Sequence, residues 1–307
     1  MWIILSFISA LCLGCYDISK KIALRENRVI DVLTLSVCIS TLFLSMPWLL
    51  SRVCPEAMTA TPFFVPQLDL AAHGLVVVKS MIVLSSWVFA YISLKHLPLS
   101  VVSPMQATRP MWTLVGALLL FGERLNGWQW LGVSLAIGTV FVFSFKNKQT
   151  IRNTRHTPAG RYYVALALAI LIGACSGLYD EYLMRSYDHN AVQVYYTFYQ
   201  AVMMLVVWGV DRGLRVRGLE VRGLEVKGAW WVIGLISVFL IISDNVYMLA
   251  LRDPDSLIAV VSTIRRGGAV IGFAYGLLFL KEEDPWKKVA CMVGILAGLI
   301  CLAIGSM

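Results

Sequence analysis

Apolar runs of about one membrane thickness follow one another along almost the whole chain. They fall at about 2–24, 30–50, 70–95, 98–121, 127–145, 160–185, 191–210, 228–251, 254–280 and 286–305. A hydrocarbon core about 30 Å thick is crossed by a helix of about 20 apolar residues. Inside lipid every backbone N–H and C=O must be satisfied within the protein, and a helix does so within one segment. Such runs leave no room for soluble domains in 307 residues, of which 59% are hydrophobic and 14% charged; about a quarter charged is usual in soluble chains. The expected fold is all-α and integral to the membrane, with ten transmembrane helices.

The net charge of +8 would suggest nucleic acid in a soluble chain, but basic loops on the cytoplasmic side explain it better here. Loops after the odd-numbered spans hold 18 Lys and Arg against 4 after the even-numbered ones. That bias puts the odd loops in the cytoplasm and both termini outside. No cleavable signal peptide is expected: Met1–Tyr16 lacks a basic start, and Lys20-Lys21 stands where small residues would mark cleavage. Cys12-x-x-Cys15 has metal-like spacing but lies in a span with no second pair, so no metal or cofactor is expected. The tandem Arg217–Val221 and Arg222–Val226 reads as a duplication within a solvated loop.

The chain repeats itself. At an offset of 156, Tyr91 pairs with Tyr247, Pro98 with Pro254, Ser100 with Ser256, Arg109 with Arg265 and Gly116 with Gly272. Gly14-Cys15-Tyr16-Asp17 is echoed by Gly177-Leu178-Tyr179-Asp180. The halves are residues 1–147 and 160–307, joined by a basic cytoplasmic linker, 148–159. Five spans per half is an odd number, so the second half must insert upside down relative to the first. Inverted repeats with a site at mid-membrane are a transporter pattern.

Several stretches are similar to one known family. The first span ends Tyr16-Asp17-x-x-Lys20-Lys21-x-Ala23-Leu24, the fourth ends Phe121-Gly122-Glu123-Arg124-Leu125, and Trp130-Leu131-Gly132 follows. With Phe279-Leu280-Lys281-Glu282-Glu283 as a second copy of the fourth-span end, the chain resembles the EamA-type family of the drug/metabolite transporter superfamily. The resemblance implies a ten-helix basket around a central cavity, working as a proton- or exchange-driven carrier or a metabolite exporter in the bacterial inner membrane. It also implies cytoplasmic termini, the reverse of what the loop charges argue.

Charges inside spans mark the candidate site, because an arginine at mid-bilayer depth costs about 2.5–3.5 kcal/mol unless it meets a partner or water. Gln106, Arg109 and Thr113 share one helix face, and Ser262 with Arg265 repeats that face in the ninth span. Arg266 lies 100° round the helix from Arg265, so one can bind while the other pairs internally. Arg109, Arg265, Arg266, Lys79, Gln106, Ser262, Tyr196 and Tyr199 form the expected substrate-binding set. The competing reading makes the cations structural partners of Asp17, Asp180, Glu181 and Asp244. Asp244 is the first candidate for proton coupling, followed by Asp17 and Asp180, which could as easily cap helices. Gly268-x-x-x-Gly272-x-x-x-Gly276 and Gly294-x-x-x-Gly298 are packing faces, within the chain or at a homodimer contact.

Enzyme signatures fail. Gly173-Ala174-Cys175-Ser176-Gly177 mimics a nucleophile elbow but sits in mid-helix, and no phosphate loop occurs. The resulting expectation is a secondary active carrier of a small polar metabolite, anionic if the arginines bind it, working by alternating access in the lipid bilayer. Two alternatives stand beside it: an exporter of drugs or amino acids with structural arginines, and a non-transporting intramembrane enzyme for a lipid-linked phosphate substrate.

Overall fold

The structure is a computed structural model and describes residues 2–109, 111–113, 115–116, 126–146, 159–184, 186–216, 228, 230–251, 261, 264–279 and 285–306. Residues 148–158 of the expected linker, the tandem repeat, Pro110 and Ser262 lie outside the described residues. Among those described, all regular structure is helical. The helices are α1 (Trp2–Leu24), α2 (Val29–Val53), α3 (Pro55–Thr59), α4 (Leu70–His96), α5 (Leu99–Ala107) and α6 (Gly127–Lys146). They continue as α7 (Ala159–Met184), α8 (His189–Val216), α9 (Trp230–Leu251), α10 (Ala269–Leu278) and α11 (Pro285–Ser306).

Six of these, α1, α2, α4, α7, α8 and α9, are long and apolar enough to cross a membrane. The chain is a multi-pass integral membrane protein. Its outward faces are greasy, as lipid requires: Ile4, Phe7 and Leu11 on α1 and Val202 and Val206 on α8 are exposed. Asp69 caps α4 by accepting from the Ala72 N–H (3.3 Å), and Asp188 caps α8 through the N–H groups of Asn190 (2.9 Å) and Ala191 (3.3 Å). The loop between α2 and α4 is pinned to α8, where Asn190 Nδ2 donates to the carbonyls of Pro62 (2.8 Å) and Phe64 (3.1 Å).

The most extensive helix pairs are α1 with α9, α6 with α11, α4 with α7, α2 with α8 and α5 with α10. Each joins a helix from before residue 147 to one from after residue 159. Lipid tails are as apolar as leucine, so close packing and hydrogen bonds between helices have to hold such pairs. Serines do both here. Ser9 Oγ donates to the Ser243 carbonyl (2.8 Å) while Ser243 Oγ donates to that of Ser9 (3.0 Å), locking α1 to α9. Ser86 Oγ bonds the Ala169 carbonyl (2.9 Å) between α4 and α7, and Ser237 Oγ bonds the Ser36 carbonyl (2.7 Å) between α9 and α2. Such bonds average about 0.6 kcal/mol each in a membrane, so their number matters more than any single one.

The glycine faces pack within the chain. A side chain on Gly272 would meet Ser103 Oγ at 2.9 Å, and one on Gly294 would meet Thr139 Cγ2 at 2.7 Å.

Two expected spans are interrupted. The fourth was expected over 98–121; α5 closes at Ala107, where the Thr108 N–H turns to the Met105 carbonyl (3.2 Å) and the Met111 N–H to that of Thr108 (3.0 Å). In the ninth, the N–H groups of Gly267 and Gly268 bond the carbonyls of Ile264 (2.9 Å) and Arg265 (3.2 Å), three residues back. The N–H groups of Val270 and Ile271 still reach only three residues back, to Gly267 and Gly268 (3.0 Å each). Both interruptions fall beside an arginine.

Candidate functional site

Where these helices converge they enclose a cavity of about 170 Å³. Its wall takes Tyr16, Asp17 and Lys20 from α1, Lys79, Trp87 and Tyr91 from α4, and Gln106 from α5. From the later part of the chain come Gly173, Ser176, Gly177 and Asp180 on α7, Tyr196 on α8, and Asp244 and Tyr247 on α9. Arg109 and the Arg265-Arg266 pair enter from the two interrupted segments. In transporters, broken helices at mid-membrane are where substrate and ions bind.

Each described carboxylate in the wall holds a cation. Asp17 pairs with Lys20 (2.7 Å), Asp180 with Lys79 (2.6 Å), and Asp244 with Arg265 Nη2. Aromatic rings complete these contacts. Lys20 Nζ lies 4.0 Å from the Tyr16 ring centroid, Lys79 Nζ 4.8 Å from that of Tyr196, and the Arg265 guanidinium 4.1 Å from that of Tyr247. Cation–π contacts of this kind are worth up to about 2 kcal/mol when desolvated. The Tyr196 hydroxyl donates to the second Asp244 oxygen (3.0 Å). Asp244 is thereby fixed from two sides.

Arg109 and Arg266 are left over. Arg109 makes one long bond, from Nη2 to the Ala169 carbonyl (3.4 Å), and its Nε is buried with no partner. Its guanidinium lies flat against Gly173, in space that any Cβ there would occupy. Arg266 has no carboxylate partner among the described residues. Two cations short of compensation in one cavity are expensive to keep, at several kcal/mol each after relaxation.

Of the residues expected to bind substrate, Arg109, Arg265, Arg266, Lys79, Gln106 and Tyr196 line this cavity. Tyr199 does not: its hydroxyl bonds His73 Nδ1 (2.9 Å) outside the wall. Ser262 lies outside the described residues. Asp244, Asp17 and Asp180 all face the cavity, so neither Asp17 nor Asp180 serves as a helix cap. Arg265 is engaged by Asp244, and the uncommitted guanidinium on that side belongs to Arg266.

Sequence reasoning misses Lys20, because Lys20-Lys21 counts with the basic residues of the loop after the first span. It is 4% exposed and turned inward. The signal was its spacing of three from Asp17, which puts both on one helix face. Lys21, next to it, points elsewhere and donates to the carbonyls of Leu94 (2.8 Å) and Leu97 (2.7 Å). The nucleophile-elbow look-alike also has a use: Gly173, Ser176 and Gly177 give the cavity a small, close-fitting wall. Beside Asp244 a small void of about 10 Å³ has Ser36, Gln193 and Gln200 in an otherwise largely apolar wall. That is room for about one water.

Residues 1–145 match the family model of the EamA-like transporter family. No curated protein matches the chain.

Proposed function

We propose, from the match of residues 1–145 to the EamA-like transporter family of the drug/metabolite transporter superfamily and from the cavity's charges, that this chain is a membrane transporter carrying a small anionic metabolite by alternating access. The observation that carries this reading is the pair of arginines, Arg109 and Arg266, with no carboxylate partner among the described residues, in a cavity whose described carboxylates are all already paired. An incoming anion would supply the missing charge and accept from guanidinium donors, which bind carboxylate and phosphate oxygens in a fork geometry. A cationic cargo would have to displace a lysine or arginine from a carboxylate before binding. Size argues the same way, since drug-sized ligands occupy about 300–1,000 Å³ and the cavity is about 170 Å³.

The helix pairings support a two-fold arrangement of inverted halves. Taking the first five spans as equivalent in order to the last five, α1 with α9 is the counterpart of α4 with α7, and α2 with α8, α5 with α10 and α6 with α11 are each their own counterpart. Rocking of the halves would open the cavity to one side at a time, with the interruptions at Thr108 and Gly267-Gly268 as pivots. Asp244, held by Arg265 and Tyr196, is the group whose protonation would release Arg265 and couple a proton to the cycle.

The test is counterflow of labelled small anions into proteoliposomes. Saturable uptake by the full chain, abolished in Arg109→Ala with the protein still folded, is the expected result. Uptake of cations but of no anion would overturn the reading. A subtler variant, Gly173→Ala, pushes only the end of a flexible side chain. It should leave thermal stability nearly unchanged and weaken half-saturation roughly 10- to 100-fold, the loss of one charge-assisted bond.

A further inference from the structure

We propose that the cargo is a small divalent anion, one negative charge meeting Arg109 and the other Arg266; this rests on the anion-carrier reading above. The argument is a charge count. Five cations and three carboxylates are described in the cavity wall. The ion pairs of Asp17 with Lys20, Asp180 with Lys79 and Asp244 with Arg265 cancel three of the cations. Two remain, and they enter from different interrupted segments.

A monoanion would leave one guanidinium without compensation in a low-dielectric site, which the protein would otherwise have to bear at a cost of several kcal/mol. A dianion brings the described wall to neutrality. Arg109 is short of partners where it stands, its guanidinium lying against Gly173 and its Nε buried without a hydrogen-bond partner. The volume confines the cargo to a few heavy atoms, since a cavity of about 150 Å³ takes a benzene-sized guest. A four-carbon dicarboxylate and a small phosphate monoester both fit that description.

Matched ligands separate charge from shape. Purified full-length protein is titrated with succinate and with its half-amide succinamate, which keeps the size and removes one charge, following thermal shift and competition for counterflow. Glycerol phosphate is tested beside them at pH 7.5, where it is a dianion, and at pH 5, where it is mostly a monoanion. The expected result is that a dianion binds about 30-fold or more tightly than its single-charge counterpart, the usual loss when one partner of a buried charge pair is removed. Arg109→Gln or Arg266→Gln should collapse that ratio to a few-fold.

Preference for succinate identifies a dicarboxylate site, and preference for the phosphate dianion a phosphate site. Equal binding of succinate and succinamate, with glycerol phosphate bound equally at both pH values, would overturn divalency while leaving the anion carrier standing. Failure of every anion to bind or exchange would overturn the carrier reading itself. The ligand pair decides the matter in the unaltered protein, so a variant that fails to fold does not block the test.

Discussion

Asp244→Ala should lower the unfolding free energy of the detergent-solubilised protein by about 3–5 kcal/mol, the usual cost of stranding one member of a buried ion pair. The side chains of Asp244 and Arg265 are 13% and 12% exposed, so solvent screens little of the loss. The variant also removes the acceptor for the Tyr196 hydroxyl and raises the described cavity charge by one more unit. A double variant, Asp244→Ala with Arg265→Ala, should recover most of the stability, because the cation is then no longer left alone. Asp244→Asn should fall between, keeping an acceptor for Tyr196 but not the charge. Unfolding of these proteins together with Arg265→Ala in a detergent titration completes the cycle and gives the coupling energy. A single variant within 1 kcal/mol of the parent would mean that Arg265 finds water or another partner. The ion pair would then be a local convenience and no support of the site.

Much of this was legible in residue order, because lipid is a demanding solvent. The ends of α1 at Trp2 and Leu24 and of α4 at Leu70 and His96 follow from where hydropathy stops. Charge inside a span was an equally clear signal, and it led to Arg109, Lys79, Asp244 and Arg265-Arg266 without any coordinates. What order could not supply was pairing. Nothing in a linear chain says that Asp244 takes Arg265 and leaves Arg266 uncommitted, since two adjacent arginines are equivalent until a neighbouring helix chooses. Lys20 was hidden by the same rule that sets topology: basic residues at a span end count as cytoplasmic, yet a long side chain can turn inward to Asp17. Tyr199 failed for a geometric reason. It sits three residues from Tyr196 on α8, close enough to share a face, but His73 on α4 takes its hydroxyl.

Gly268→Ala should be the most damaging of the conservative changes, at about 3 kcal/mol or more, the upper end of what overpacking usually costs. A Cβ there would run into the carbonyl oxygen of Ala10 and come within 3.0 Å of its carbon and 3.2 Å of the Arg265 carbonyl. Those atoms are backbone, so no rotamer change relieves the clash, and shortening the side chain at Ala10 cannot rescue it. The approach is mutual, since a Cβ on Gly14 would meet the Gly268 carbonyl at 2.8 Å and Ile271 Cβ at 2.7 Å. Helix α1 and the turn before α10 therefore touch through their main chains, and that contact fixes where Arg265 and Arg266 enter the cavity. Gly74→Ala on α4 and Gly234→Ala on α9 are the controls, because nothing lies within 4 Å of either added methyl. Both should stay within about 1 kcal/mol of the parent, tending to stabilise, as alanine loses less backbone entropy in a helix. Melting curves for the three variants separate a steric requirement at Gly268 from a general intolerance of alanine. If Gly268→Ala melts with the controls, α1 and the turn are free to part, and the arginines are not held where the charge argument needs them.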